Sequence, residues 1–381
     1  MKLGIDASNL RAGGGVTHLM EMLRAAHPHD HGFDRVIIWG GGATLDRLEE
    51  KPWLQKVREP ILDRSLPARL YWQQFKLGHL ARQEKCDLLF VPGGSYHGSF
   101  RPFVAMSQNL IPFQWMEIKR YGISWMFVRN VLLYWSQKQT FHAADGLIFL
   151  TRYAQDVVMK KIKSCYSRVT IIPHGVDQRF LLAPRAQTDF KSYSLQKPFK
   201  LLYVSTIDLY KHQWHVVEAV TKLKEAGYPV QLDFAGSAYA PALNRFRKAL
   251  YRFDPKETFI HYLGEIPYSK LFYLYQQADA FVFASSCENM PNILLEAMAS
   301  GVPIACSNRG PMPEVLSDAG VYFDPEKPLD ITSALKRLMD FPNIRAENAN
   351  SAYEKTKFYT WENCAHNTFA FLNQIAINYK H

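Results

Sequence analysis

At 381 residues, 48% hydrophobic and 21% charged, the chain has ordinary globular composition and is longer than one hydrophobic core usually serves, so two domains are expected. It has no run of eighteen apolar residues, which excludes an evident membrane span, and its five scattered cysteines (Cys86, Cys165, Cys287, Cys306, Cys364) form no CxxC pair, which argues against zinc or a redox couple and for free thiols in a reducing cytoplasm. The net charge of +10 lies almost wholly in the first half: residues 1–180 hold 24 Lys/Arg against 15 Asp/Glu, residues 181–381 hold 21 against 20. Such a bias suggests an anionic partner there, whether nucleic acid, a phosphorylated acceptor or a lipid headgroup surface, although basic charge can also serve solubility alone.

The start, MKLGIDASNL, reads as a strand at 2–8 with none of the marks of a secretory leader, so the mature protein is expected to begin here. Gly13, Gly14 and Gly15 follow, then a helical pattern from Thr17; glycines after a strand let backbone approach a phosphate, though a flexible turn explains them equally well. Further Val/Ile/Leu/Phe runs predict strands at 35–39, 87–92, 103–107, 146–151 and 169–173. The stretch 181–199 is polar, proline-bearing and aperiodic, as an interdomain linker would be. Beyond it strands are expected at 200–205, 230–236, 259–264, 280–285, 302–307 and 320–325. In the tail, Trp361, Ala365, Phe369 and Leu372 have helical spacing. The fold class is α/β: two Rossmann-like doubly wound domains at 1–180 and 200–359, with a closing helix at 360–381 that can cross back to the first. Doubly wound sheets bind ligands beyond the carboxyl ends of their strands, so residues just after strands carry the argument.

The strongest signal is ASSCENMPNILLEAMASGVPIACSNRGPMPEVL. Here Glu288 should lie in a loop and Glu296 one turn inside the following helix, with Pro291 in the first helical turn and Asn289 or Met290 as the cap. Two carboxylates at different heights would flank a helix N-terminus, whose unpaired N–H groups and dipole favour a diphosphate. Gly301 and Pro303 mark the helix stop and the next strand.

This run resembles the signature of the family-four retaining glycosyltransferases of GT-B fold, in which two domains face each other across a cleft. The resemblance covers most of the chain, is weakest over 45–85 and 185–197, and includes similarity to bacterial O-antigen and capsule enzymes. It implies that Glu288 contacts the donor sugar and Glu296 the ribose hydroxyls, with Asn289, Met290, Pro291, Asn292 and Ile293 lining the donor site. In YVSTIDLYKHQWHVVEAV, Lys211 matches the family's diphosphate-binding lysine, but the arginine usual before it is missing, so Ser205 or Thr206 is expected to donate instead. Gly14 and Gly15 match the N-terminal glycine loop, and Gly264, Glu265 and Ile266 the base-side loop. Gln108 and Asn109 stand where relatives often carry a histidine, and with His174 and Asp177 of IIPHGVDQRF they are placed on the acceptor or donor-sugar side, although Asp177 can equally cap a turn.

The resemblance implies front-face transfer with retention, Lys211 steadying the departing diphosphate and no metal or other cofactor, since no DxD-like pair is present. Expected partners are a nucleotide diphosphate sugar, with GDP-mannose favoured over UDP- or dTDP-sugars, a lipid-linked oligosaccharide acceptor and an anionic membrane surface touched peripherally. Residues 51–180 carry 19 Lys/Arg against 8 Asp/Glu among Trp72, Phe75, Trp115, Tyr121, Trp125, Tyr134 and Trp135, as a cytoplasmic protein on the inner face of the plasma membrane would. Packing of Leu66, Leu70, Phe75 and Leu77 against the sheet is the competing explanation. An inactive glycan-binding protein and a sugar-nucleotide epimerase are the alternatives; no nucleic-acid-binding motif is evident.

Overall fold

The computed structural model describes residues 1–11, 13–162 and 168–380. The chain divides into two compact units, Met1–Gly175 with Tyr359–His381, and Val176–Phe358. The first holds a seven-stranded sheet ordered β3-β2-β1-β4-β5-β6-β7, made of β1 (Lys2–Asp6), β2 (Arg35–Gly40), β3 (Leu54–Arg58), β4 (Leu88–Val91), β5 (Phe103–Met106), β6 (Gly146–Phe149) and β7 (Arg168–Ile171). The second holds six strands ordered β10-β9-β8-β11-β12-β13: β8 (Phe199–Val204), β9 (Val230–Ala235), β10 (Ile260–Tyr262), β11 (Ala280–Phe283), β12 (Ile304–Ser307) and β13 (Val321–Phe323). Every paired strand runs parallel. All twelve expected strands are present. The thirteenth, β3, was not expected.

Helices in chain order are α1 (Gly14–Arg24), α2 (Gly42–Leu45), α3 (Leu66–Trp72), α4 (Gly78–Gln83), α5 (Trp115–Lys119), α6 (Trp125–Ala143), α7 (Arg152–Ile162), α8 (Gln213–Glu225), α9 (Ala240–Phe253), α10 (Tyr268–Gln277), α11 (Asn292–Ala299), α12 (Met312–Leu316), α13 (Pro328–Asp340), α14 (Pro342–Thr356) and α15 (Trp361–Lys380). Central strands such as β4, β5, β6 and β11 are buried along their whole length, which is why they read as unbroken apolar runs. In α15 the expected positions Trp361, Ala365, Phe369 and Leu372 are all buried, and the helix packs on α1 and β4 of the first unit. Each such Phe or Leu contributes roughly 1.5–3 kcal/mol on burial.

The segment 181–199 is not a free linker. Leu182 N–H bonds the Ala299 carbonyl at 3.0 Å, and the buried Arg345 of α14 reaches Gln187 Oε1 at 3.0 Å and the Thr188 carbonyl. A guanidinium taken out of water needs several acceptors at once, and this polar segment supplies two of them. The division accordingly falls at Gly175/Val176 rather than at 180, and the segment belongs to the second unit. Cys86, Cys287, Cys306 and Cys364 are free thiols, while Cys165 lies outside the described residues.

Candidate active site

Strand order reverses between β1 and β4 in the first sheet and between β8 and β11 in the second. Adjacent strands there send their following chains in opposite directions, leaving room for a ligand beyond their carboxyl ends. Lys211 comes from the β8 exit and Glu288 from the β11 exit, 77 residues apart, and the Lys211 Nζ is ion-paired with Glu288 Oε1.

Two features hold these exits together. Tyr203, on β8, donates its hydroxyl to the Lys211 carbonyl at 2.6 Å and accepts from the Ala284 N–H at 3.2 Å. Ser286 donates its N–H to the Tyr210 carbonyl at 2.8 Å, and its hydroxyl lies 3.0 Å from His212 Nε2. His212 takes a left-handed conformation (φ 51°) at the cap of α8, turning the chain immediately after the lysine. Lys211 is buried beneath the rings of Tyr210 and Phe283, each centred 5.0 Å from its Nζ. An almost buried ammonium requires an opposite charge, and Glu288 is that charge. Tyr203, Ser286 and His212 had no distinguishing mark in the sequence, since a tyrosine inside a strand reads as core.

Helix α11 starts at Asn292, so Pro291 is its cap residue rather than part of its first turn, and neither Asn289 nor Met290 caps it. Pro291 still suits the place because its missing N–H lies ahead of the helix. Gly301, with φ 59°, ends the helix as expected. Asn289 and Met290 are buried in the loop, while Asn292 and Ile293 are partly exposed in the first turn.

Glu296 lies one turn into α11, buried, and accepts from Tyr275 at 3.2 Å and from Tyr268. Burial, opposed by those two hydroxyls, pushes its carboxyl up to about 8, with Asp177 adding to the rise. Asp177 itself caps the short turn Gln178–Phe180 and pairs with Arg179 at 2.8 Å. It therefore belongs to the second unit, beside Glu296, rather than to the first domain where it was expected.

A carboxyl whose pKa is raised by folding supports the fold fully below its ordinary value of 4.5 and loses that support as pH rises through about 8. Glu296→Gln, always neutral, is expected to gain stability over the wild type between pH 5 and 9, on the order of 2–4 kcal/mol. Melting profiles of the two proteins that stay parallel over this range would rule out a neutral buried carboxyl.

Of the other expected donor residues, Ser205 is buried with its hydroxyl on the Thr206 carbonyl, whereas Thr206 is exposed and 3.2 Å from the Ser237 hydroxyl. Thr206 is thus the more accessible donor. Gly236, with φ 144°, lies so close to the Ser205 carbonyl that a side chain there would overlap it at 2.2 Å. Its N–H bonds the Gly264 carbonyl at 2.7 Å, so the ends of β8, β9 and β10 form a continuous rim on which Gly264, Glu265 and Ile266 stand.

In the first unit, Gly13 makes the turn (φ 73°) and α1 begins at Gly14, three residues before the expected start. Gly14 and Gly15 are therefore the first helical turn rather than a loop. A side chain at residue 15 would meet Gln108 Oε1 at 2.9 Å, and Gln108 Nε2 is 3.4 Å from His18 Nδ1. His18 stacks on His174 at 4.6 Å, and His174 on Trp361 at 5.8 Å. Gly15, Gln108 and His174 are thus brought together. Asn109 instead closes its own turn, accepting from Ile111 N–H at 3.2 Å. A histidine does reach this place after all, from α1, but burial and then His174 hold its pKa far below the ordinary imidazole value, so it stays neutral.

Two doubly wound units with a Lys–Glu pair at a switch point define a protein of the GT-B type. Residues 12–180 match the family described as Glycosyltransferase Family 4 and residues 185–355 that described as Glycosyl transferases group 1. The chain belongs to the family-four GT-B glycosyltransferases. Over 225 residues it is 28% identical to the O-antigen chain mannosyltransferase B of Escherichia coli, covering 58% of this chain and 56% of that protein. The chain spans about half the length of the curated relatives it matches. Among solved structures, sucrose-phosphate synthase of Thermosynechococcus elongatus aligns with TM-score 0.78 at 16% identity over 99% of this chain and 100% of that one. The HepE protein of Anabaena in complex with UDP-glucose aligns with TM-score 0.69 at 16% identity over 100% and 99%. These likenesses are of fold.

Proposed function

We propose that this protein is a retaining hexosyltransferase that moves a sugar, mannose in the first instance, from a nucleoside diphosphate donor to a growing lipid-linked cell-surface glycan at the cytoplasmic face of the plasma membrane. The observation that carries this reading is the Lys211–Glu288 pair at the β8/β11 switch point, with Glu296 one turn into α11. The mannosyltransferase relative supports mannose, and the complexed relative of like fold supports a nucleotide sugar.

In the proposed reaction the acceptor hydroxyl oxygen bonds to the anomeric carbon on the face from which the diphosphate leaves. The carbon–oxygen bond to the diphosphate breaks, its electron pair stays on the leaving group, and the hydroxyl proton passes to a donor phosphate oxygen. Charge grows on the diphosphate, and a cation held in place beforehand needs no reorganisation to meet it; that is the role of Lys211. Glu288 receives sugar hydroxyls and Glu296 the ribose diol.

Thermal shifts against GDP-, UDP- and dTDP-sugars test the reading, because a ligand bound to the native state raises stability by mass action. A donor-specific rise followed by transfer is expected. No rise with any sugar nucleotide would sink it and favour an inactive glycan-binding protein, a second reading motivated by the absence of arginine between Ser205 and Lys211. Product formed from donor alone would favour the epimerase.

Ribose contacts act throughout the reaction, so Glu296→Ala is expected to raise KM for the donor about tenfold or more with a smaller change in kcat. Equal losses in both would remove the ribose assignment. Transfer is also expected to survive EDTA, since Lys211 and the α11 N-terminus supply the positive charge. Loss of activity restored by Mg²⁺ or Mn²⁺ would overturn that.

A further inference from the structure

We infer that the outer face of α6, with α5 and the cleft between them, docks on an anionic phospholipid bilayer; this deepens the lipid-linked acceptor reading and rests on it. Helix α6 buries mostly polar residues beside Phe141 while leaving large apolar ones exposed. Its buried positions include Asn130, Gln137 and Thr140, with Thr140 hydroxyl-bonded to the Tyr96 backbone at 2.8 and 3.0 Å. Its exposed positions are Trp125 (68%), Val128, Leu132 (58%) and Trp135 (56%), spaced along one helical face, and Trp115, Met116 and Ile123 extend the exposed apolar surface. Apolar side chains turned to water in such number mark a surface that is covered in use.

The charge around this face selects the cover. Residues 111–143 hold four Lys/Arg and one acid, and that acid, Glu117, is buried and paired with Arg120 at 2.7 Å. Lys119 lies over the Trp115 ring at 5.8 Å and Lys138 over Trp135 at 5.5 Å, while Arg129 stands on the exposed face. Cations beside indole rings match a headgroup boundary, where the rings sit at the interface and the cations meet lipid phosphates. A second copy of the chain would bring the same positive face against itself and be repelled. Between α5 and α6 a cleft of about 380 Å³, lined by Phe113, Trp115, Ile118, Val131 and Trp135, carries Lys161 at its side. An apolar lining with one ammonium at its side is the chemistry that suits an acyl chain and a headgroup phosphate. Among the described residues no helix is long and apolar enough to cross a membrane, so contact is with the surface.

Flotation of the full chain with neutral phosphatidylcholine vesicles and with vesicles containing phosphatidylglycerol, at low and high salt, tests this. Wild type is expected to float with anionic vesicles at low salt. The Trp125→Glu/Leu132→Glu double variant should lose at least about tenfold in binding while keeping its melting temperature, since both side chains are exposed. Lys119→Gln/Lys138→Gln should weaken binding several-fold and flatten its salt dependence. Wild type that ignores anionic vesicles, a glutamate variant that floats like wild type, or a wild-type dimer that the glutamates render monomeric would each overturn the inference. The donor-induced thermal shift, measured on the same proteins, separates the two readings: if it persists while flotation fails, only the bilayer face is wrong.

Discussion

Glu288→Ala is expected to lower kcat/KM for transfer by at least about 10³, and Lys211→Ala by about 10²–10³, the range for removing one preorganised group that meets charge in a transition state. Because the two side chains are paired, each single change also strands the other group, so the double variant should be little worse than either alone. Stranding a nearly buried charge also lowers stability, and melting curves must accompany the rates. Glu288→Gln keeps the shape and an acceptor oxygen for Lys211 but loses the charge: a folded protein with the same large loss shows that transfer needs the charged pair and not only its packing. Wild-type rates in folded Glu288→Ala and Lys211→Ala proteins would remove both residues from the site.

Arg345→Met is expected to be the most destabilising single change in the second unit. The guanidinium is fully buried and donates to the carbonyls of Leu338 at 2.5 Å, Met339 at 2.8 Å and Thr188, and to Gln187 Oε1 at 3.0 Å, while lying 5.4 Å from the Phe199 ring centre. Methionine fills similar space but leaves these acceptors without a donor, at about 1–3 kcal/mol for each that stays dry. A total of roughly 3 kcal/mol or more corresponds to a fall of about 6–12 °C in melting temperature for a unit of this size. By contrast Arg309→Ala, which breaks a half-exposed pair with Asp324, should change stability by less than about 1 kcal/mol. An Arg345→Met protein melting within about 2 °C of wild type would show that segment 181–199 holds itself in place.

These two expectations differ in how far they were legible in the chain. Glu288 and Glu296 stood out because a loop carboxylate, a proline, a helix and a glycine stop form a local pattern, and Lys211 because it matches the family's diphosphate-binding lysine. Arg345 did not. Its partners at 187 and 188 lie more than 150 residues away, and an arginine within a helix pattern reads as solvent-facing. The same limit hid the contact between Lys211 and Glu288, which depends on β8 and β11 being neighbours and on Tyr203 and Ser286 tying their exits.

Parallel strands buried on both faces leave continuous apolar runs, so the sequence by itself determined twelve of the thirteen strands, the α/β class, the closing helix and the family motif. Strand β3 escaped because LQKVR has only one buried residue, Leu54, and its glutamine, lysine and arginine leave no apolar run to read. Composition placed aromatic and basic residues together over 51–180 but could not say which rings face outward. The structure decided that Trp72, Tyr121 and Leu77 are core, and that Leu66, Leu70, Phe75, Trp115, Trp125 and Trp135 are exposed. The physical reason is common to all these cases. Periodicity reports which residues share a face of one element, whereas only the packing of elements distant in sequence decides whether that face meets protein or solvent, and which charge a buried lysine finds opposite it.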